Sequence, residues 1–191
     1  MKILGIVCSP RKGGNTEILV KEALEAASKA GGETELFLIA DKNISFCDGC
    51  GACAKTGKCI IKDDMQGLYE KLEAADGIIF GTPVYFLSVS AQAKAVMDRT
   101  YAFLRVRRLQ GKVASAIVAV RRIGAGSTLS LLYSYFTIQR MTIAGGGVGY
   151  GLEKGDVRQG VGGSPTLSAL EEARAVGKSV VRMLKQLSNR E

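Results

Sequence analysis

The 191-residue chain contains no histidine and no tryptophan. The first absence removes the Ser-His-Asp triad, His-ligated zinc, the Rieske cluster and every imidazole acid–base pair. Any redox or transfer chemistry then rests on a cofactor. The second absence matters because the formal charge is +8, which invites a nucleic-acid reading. Without Trp, and with basic residues that do not interleave with aromatics, no base-stacking surface is expected, and no nucleic-acid partner. No apolar run approaches the roughly 18 residues that cross a membrane. The start, MKILGIVCSPRKGG, has too short an apolar stretch for a signal peptide. The expectation is a cytoplasmic protein with reduced thiols and no membrane partner.

What is there is a regular alternation. Short apolar runs at 2–7, 33–39, 77–83, 112–120 and 142–151 read as buried strands. Segments 17–30, 63–75, 90–104, 127–141 and 166–187 read as helices, the last after a polar loop to Pro165. In the first of them Ile18, Leu19, Ala23, Ala26, Ala27 and Ala30 share one side, and Gly31-Gly32 stops it. The acids of IKDDM sit at a helix start, as the helix dipole favours. Strands alternating with helices predict a parallel sheet covered on both faces. Five of each in this length fit an α/β, flavodoxin-like, doubly wound domain of strand order 2-1-3-4-5, with 1–191 as a single domain. Residues 43–63 read as a cysteine-rich insertion after the second strand.

Ligands of such sheets bind beyond the carboxyl ends of the strands. The turn CSPRKGGNT leaves the first strand there. Ser9, Asn15 and Thr16 supply short donors, Arg11 and Lys12 supply charge, and Gly13 and Gly14 let the backbone approach a ligand. The helix begins near Thr16 and offers its positive end to an anion, with Asn15 read as its cap. Together they fit a phosphomonoester. The turn is neither a Walker loop nor G-x-G-x-x-G. A solvated turn is the plain alternative, and Cys8 reads as a small buried residue.

Four of the five cysteines fall within thirteen residues, as Cys47-x2-Cys50-x2-Cys53-x5-Cys59. Disulfides do not suit a cytoplasmic domain large enough to have its own core. Structural zinc typically uses two C-x2-C knuckles with a longer spacer. A tight C-x2-C-x2-C run closes three thiolates around one cluster, as in bacterial ferredoxins, so a [4Fe–4S] cluster is favoured and zinc is the remaining alternative. Gly49, Gly51 and Gly57 permit tight wrapping. After the third strand, Pro83 and Tyr85 stand where a flavin ring would rest. After the fourth, Gly124 and Gly126 would let backbone reach its pyrimidine edge, and Arg121 or Arg122 would offset charge on reduction. Ordinary turns are the alternative for both loops.

Taken together, SPRKGGNT, CDGCGACAKTGKC, IKDDM, GTPVYFLSVSAQAKAVMDR and VRRIGAGST resemble the iron–sulfur flavoproteins, within the NADPH-dependent FMN reductase group. The resemblance spans nearly the whole chain, less clearly after Tyr150. It implies FMN and one [4Fe–4S] cluster per subunit. It implies a homodimer or homotetramer in which one subunit's flavin faces another's cluster. It also implies a ferredoxin-like electron donor, with oxygen or peroxide as acceptor. It assigns Ser9, Arg11, Asn15 and Thr16 to the FMN phosphate. Pro83, Val84, Tyr85, Phe86 and Ser88 go to the isoalloxazine and ribityl chain, and the four loop cysteines to the cluster. Cys8 departs from the small residue, such as Gly, usual in relatives. Lys12, Gly14, Arg122, Gly124 and Gly126 complete the expected FMN set. The leading reading is an electron-transfer flavoprotein converting between one- and two-electron carriers. The alternative is an NAD(P)H-dependent FMN or quinone reductase with zinc or no metal in the cysteine loop. A redox sensor is a third. Arg99, Arg105, Arg107, Arg108 and Lys112 read as a basic face, either solvated or steering an acidic donor.

Overall fold

In the first strand, β1 (Lys2–Val7), Ile3 and Val7 point to one side and Leu4 and Ile6 to the other, and all four are at most 2% exposed. A strand apolar on both sides has to be covered on both, and the rest of the chain does this. The computed structural model describes residues 1–159 and 168–189. β1 pairs in parallel with β2 (Glu33–Leu38) and β3 (Gly77–Pro83); β4 (Val113–Val120) and β5 (Thr142–Tyr150) extend the sheet, in the order β2-β1-β3-β4-β5. The doubly wound flavodoxin-like order expected from the alternation is the one observed.

Helices α1 (Asn15–Lys29) and α7 (Ala169–Ser188) cover the Ile3, Val7, Ile79, Val113 and Ile117 face. The other face, with Leu4, Ile6, Ile78, Phe80, Ala116 and Val118, lies under α3 (Met65–Ala74), α4 (Ala91–Arg99), α5 (Tyr101–Leu104) and α6 (Ala125–Ile138). A short helix, α2 (Cys53–Thr56), sits inside the cysteine loop.

Two of the departures from the sequence outlines have a clear local cause. Segment 90–104 is broken at Thr100, whose hydroxyl donates back to Met97 O at 2.6 Å and meets Tyr135 Oη at 2.9 Å, while its carbonyl accepts from Gln139. A Thr that bonds its own preceding turn competes with the helix ladder. The last helix starts at Ala169, not 166, because Ser168 and Glu171 form a capping box. The polar loop expected up to Pro165 falls partly on residues 160–167, outside the described residues.

β5 keeps its glycine run for geometric reasons. Gly145, at φ 107°, forms a bulge between the Ala114 and Ala116 registers, a conformation L side chains rarely adopt. Helices α1 and α7 pack tightly together, and a Cβ on Gly177 would collide with the carbonyl oxygen of Ala23. That oxygen belongs to backbone and cannot rotate away. Gly177→Ala is expected to destabilise the fold by about 1–3 kcal/mol through overpacking, read as a lower denaturant midpoint with unchanged slope.

Candidate functional site

The chain leaves β1 for α1 on one face and leaves β3 for α4 on the other. The crevice between the two strand ends is therefore open, as expected at a switch point. A cavity of about 300 Å³ lies there. The turn after β1 lines it with Ser9, Arg11, Gly14, Asn15 and Thr16, and the loop after β3 with Pro83, Val84 and Tyr85. Ser9 Oγ accepts from Arg11 N at 3.2 Å. Gly13, left-handed at φ 62°, donates its N–H to Glu17 Oε2 at 2.7 Å, and Lys21 holds the other carboxylate oxygen at 2.5 Å. Burial pushes Glu17 up, but Lys21 and the Gly13 amide outweigh it and hold the carboxyl below its ordinary range. The first helical bond runs from Ile18 N to Gly14 O at 3.1 Å, so the initial α1 amides face the turn.

Asn15 is not the helix cap; Gly14 holds that position. Its side chain is instead a latch. Asn15 Oδ1 accepts from Gly155 N at 2.7 Å, and Nδ2 donates to Glu153 O at 2.8 Å and Asp156 Oδ1 at 3.1 Å. Asp156 in turn accepts from Leu152 N and Glu153 N, both at 2.7 Å, and these amides, Glu153 first, keep its carboxyl low. This brings Gly151, Leu152, Glu153 and Lys154 to the cleft wall, with Ala119, Val120 and Arg121 from the end of β4. The 151–154 segment escaped the sequence reading; its position just past the fifth strand's carboxyl end was the available signal.

Other expected residues lie outside the cavity. Lys12 pairs with Asp41. Phe86 is fully exposed, at the tip of a turn closed by reciprocal Tyr85–Ser88 backbone bonds of 2.9 and 3.1 Å. Phe86 and Leu87 are both left-handed, at φ 48° and 63°, a strain of roughly 1–3 kcal/mol each that the surroundings must over-determine. Ser127 Oγ holds Leu87 O at 2.6 Å, and Val84 N donates to Ala119 O at 2.8 Å. Gly124 permits this packing: a Cβ there would meet Val84 Cγ1 at 2.8 Å and Leu87 Cα at 2.9 Å. Arg122, Gly126 and Ser88 do not line the cavity.

The cysteine loop is a second construction. Its first residues are tied to the start of α3, into which its other end runs. Asp64 Oδ2 accepts from Asn43 N at 2.7 Å, and Asp63 Oδ2 accepts from Ser45 N at 2.9 Å. Arg99, at the end of α4, forks onto Asp63 with Nη1–Oδ2 at 2.6 Å and Nη2–Oδ1 at 3.0 Å, and Nη1 also donates to Ser45 O at 2.9 Å. The Arg99 side chain is 0% exposed and that of Asp63 4%. The acids of IKDDM are thus loop anchors first, although Asp63 also accepts from Met65 N at 3.0 Å. Burial raises the Asp63 carboxyl, and the Arg99 fork overcomes this to leave it low.

Inside this clamp Gly49, Gly51 and Gly57 are all left-handed, at φ 72°, 71° and 66°, and wrap the loop tightly. Cys47, Cys50, Cys53 and Cys59 line one cavity of about 500 Å³, together with Arg99 and Tyr101. Among the described residues no three Cys, Asp or Glu side chains converge on a point that would hold a single metal ion. The thiols instead surround a volume. Burial pushes the Cys53 thiol up, and Cys59, then Cys47 and Cys50, add to the shift as charges, so the four sulfurs share one field. An all-sulfur set of four around such a volume fits an iron–sulfur cluster, which takes a thiolate at each corner. Cys8 is separate, fully buried in the core, with its thiol pushed up by burial.

The basic face is smaller than its sequence suggests. Arg99 is buried, Lys112 donates to the carbonyls of Glu73 and Ala75, and Arg108 pairs with Glu73 and stands 5.3 Å over the Phe103 ring. Arg105 and Arg107 remain exposed. They flank Val106, which packs against Gly57 of the cysteine loop.

A parallel sheet of this order, with an anion-suited turn after β1 and an aromatic-bearing loop after β3, defines a flavodoxin-like flavin-binding domain. Residues 1–152 match the model for "NADPH-dependent FMN reductase", and the chain belongs to that family. It is 40% identical over 195 residues to an iron-sulfur flavoprotein of Methanocaldococcus jannaschii, covering 97% of this chain and 98% of that one. An iron-sulfur flavoprotein of Archaeoglobus fulgidus is 33% identical over 199 residues, covering 99% and 98%. Among solved structures, RosB with a bound 8-demethyl-8-formylriboflavin-5′-phosphate superposes with TM-score 0.75 at 16% identity, over 99% of this chain and 81% of that one. An archaeal flavodoxin superposes with TM-score 0.62 at 16% identity, over 97% and 99%. The protein is a flavin-dependent oxidoreductase with a flavin-based electron-transfer role and FMN as its flavin. Among the described residues no helix is long and apolar enough to cross a membrane.

Arg11 is the cleft's exposed cation on the phosphate turn. Arg11→Ala is expected to weaken FMN about ten- to hundredfold, the loss of one charge-assisted hydrogen bond. Riboflavin, lacking the phosphate, should be little affected in the same fluorescence titration; equal weakening of both would place Arg11 away from the phosphate.

Proposed function

We propose that this chain passes electrons between a ferredoxin-like one-electron donor and a two-electron acceptor, holding a [4Fe–4S] cluster in the cysteine loop and FMN in the cleft. The observation that carries this is the gathering of Cys47, Cys50, Cys53 and Cys59 around one surface cavity. The iron-sulfur flavoprotein names of its relatives support it. Bound in these two sites, the groups supply the redox chemistry, the cluster in single electrons and the flavin in ones or pairs.

The chain's own part is to bind, orient and tune. Ser9, Arg11, Thr16 and the first α1 amides hold the phosphate. Pro83, Val84 and Tyr85 form the wall for the ring, and Arg121 brings positive charge to the cleft. Gly49 and Gly51 leave backbone N–H groups free beside the thiolates, while Gly57 N closes the short helix by donating to Cys53 O at 2.9 Å. No protein acid or base is required. Oxygen or peroxide is the proposed acceptor, and a cytoplasmic setting keeps the thiols reduced.

The two sites lie at opposite ends of α4, whose cap Ser90 sits by the β3 loop and whose last residue, Arg99, lines the cysteine cavity. Nine residues of helix span about 14 Å, so a closer pairing needs a second subunit. Exposed apolar side chains flank both sites: Phe86, Leu87 and Ile123 at one, Phe46, Ile60 and Val106 at the other. This supports a homodimer or homotetramer in which one subunit's flavin loop meets another's cysteine loop.

The family match also supports a second reading, in which NADPH reduces the flavin directly. Anaerobic reduction by NADPH and by reduced ferredoxin, followed at the flavin band, separates the two.

Replacing any one of Cys47, Cys50, Cys53 or Cys59 with Ala should lose or degrade the cluster in anaerobically prepared protein while FMN stays bound. Cys8→Ala should leave iron and sulfide unchanged. Stoichiometric zinc without acid-labile sulfide would overturn the cluster assignment.

A [4Fe–4S]²⁺ core with four thiolates carries −2 and the FMN phosphate about −2. The loaded subunit therefore stays positive, starting from +8. Arg105 and Arg107 put exposed charge beside the cysteine loop, and exposed charges are screened beyond roughly 8–10 Å at ordinary ionic strength. The second-order rate of reduction by ferredoxin should fall steeply with salt. Arg105→Glu with Arg107→Glu should lower it without changing bound FMN or iron; a flat salt dependence would reduce the patch to a solubility feature.

A further inference from the structure

Arg99 does more than its ion pair requires. It is 1% exposed, and its two terminal nitrogens are used on Asp63, Ser45 and Ile61, yet among the described residues its Nε has no hydrogen-bond partner. A buried guanidinium N–H left unpaired is costly, and native structures seldom keep one without use. Arg99 also lines the cavity that the four cysteines surround. Its planar fork is held on one edge by Asp63, and its backbone oxygen is held by Tyr69 Oη at 2.7 Å, so the guanidinium has little freedom to turn.

We propose that Arg99 donates its Nε–H to a sulfur of the cluster, a thiolate or a bridging sulfide, and that this bond raises the cluster's reduction potential. The inference rests on the cluster reading above. Reduction adds one electron to the cluster and breaks no bond. The reduced form carries one more negative charge, and an N–H donor from a cation stabilises that form more than the oxidised one. Asp63 has the complementary task of fixing the fork so that Nε, not a terminal nitrogen, faces the sulfurs. Arg99 is then a potential-setting residue, and Asp63 a positioning residue.

The experiment is an EPR-monitored redox titration of anaerobic protein carrying both FMN and cluster. Two variants are compared with wild type. Arg99→Lys keeps the positive charge facing Asp63 without the fork. Arg99→Met with Asp63→Asn removes the charge pair as a unit, while the Asn amide oxygen keeps an acceptor for the Ser45 and Met65 amides. Both leave the site's net charge unchanged, so a shift reports the hydrogen bond. In both, the reduced-to-oxidised ratio at wild type's midpoint should fall about tenfold, equivalent to about 59 mV for a one-electron couple. Iron, sulfide and the FMN potential should stay as in wild type. An unchanged cluster potential in either loaded variant would overturn the proposal. So would loss of the cluster from both variants with FMN retained, which would make Arg99 a clamp for the loop alone. Wild-type protein without acid-labile sulfide would instead sink the cluster reading itself, before any variant is measured.

Discussion

A parallel sheet that is apolar on both faces can offer solvent only its ends. Here α1 and α7 seal one side of the central strands and α3 to α6 the other, leaving β1, β3 and β4 no face for polar chemistry. The cleft's lining therefore gathers at the carboxyl edge. The turn after β1, the loop after β3 and the residues after β4 and β5 meet there because right-handed crossovers deliver them there. The cysteine loop leaves the same edge from β2, one strand further out.

The cysteine loop has few apolar contacts of its own, and four thiols in one field repel once ionised. Its shape is imposed from outside, by Asp63, Asp64 and Arg99. A buried pair of this kind is weak as a source of net stability, but losing one partner leaves a charge stranded, at a cost of about 3–5 kcal/mol. That asymmetry suits the proposed cluster, whose loop would have to keep one geometry through oxidation and reduction. It also ties the loop to α4, the helix whose other end carries the flavin loop.

Local patterns were legible and distant partnerships were not. β1 and β3 match their sequence outlines because each apolar run is bounded by turn residues, and the three loop glycines were readable beside their cysteines. The start of α7 turned on Ser168 and Glu171, a local signal that outweighs periodicity. By contrast, Arg99 looked like one more surface cation. Its partner lies 36 residues away, and nothing between them announces the pairing. Asn15 looked like a cap because short polar residues before a helix usually are, and only the fold brings residues 153–156 within its reach. Phe86 looked like a ring contact, since nothing in a non-glycine pair announces a turn with both central residues left-handed.

The Asn15 latch also bears on the order of events during synthesis. The phosphate turn is made among the first residues, but it is held by Gly155, 140 positions later. The cleft cannot close while the chain beyond β5 is still inside the ribosome. The nascent protein can form its first strands and crossovers as they emerge, yet the cleft stays unfinished until the last wall arrives. With FMN in this cleft, as proposed, flavin acquisition would be a late event that reports near-completion of the domain, and a chain truncated before residue 156 would be left with an open cleft.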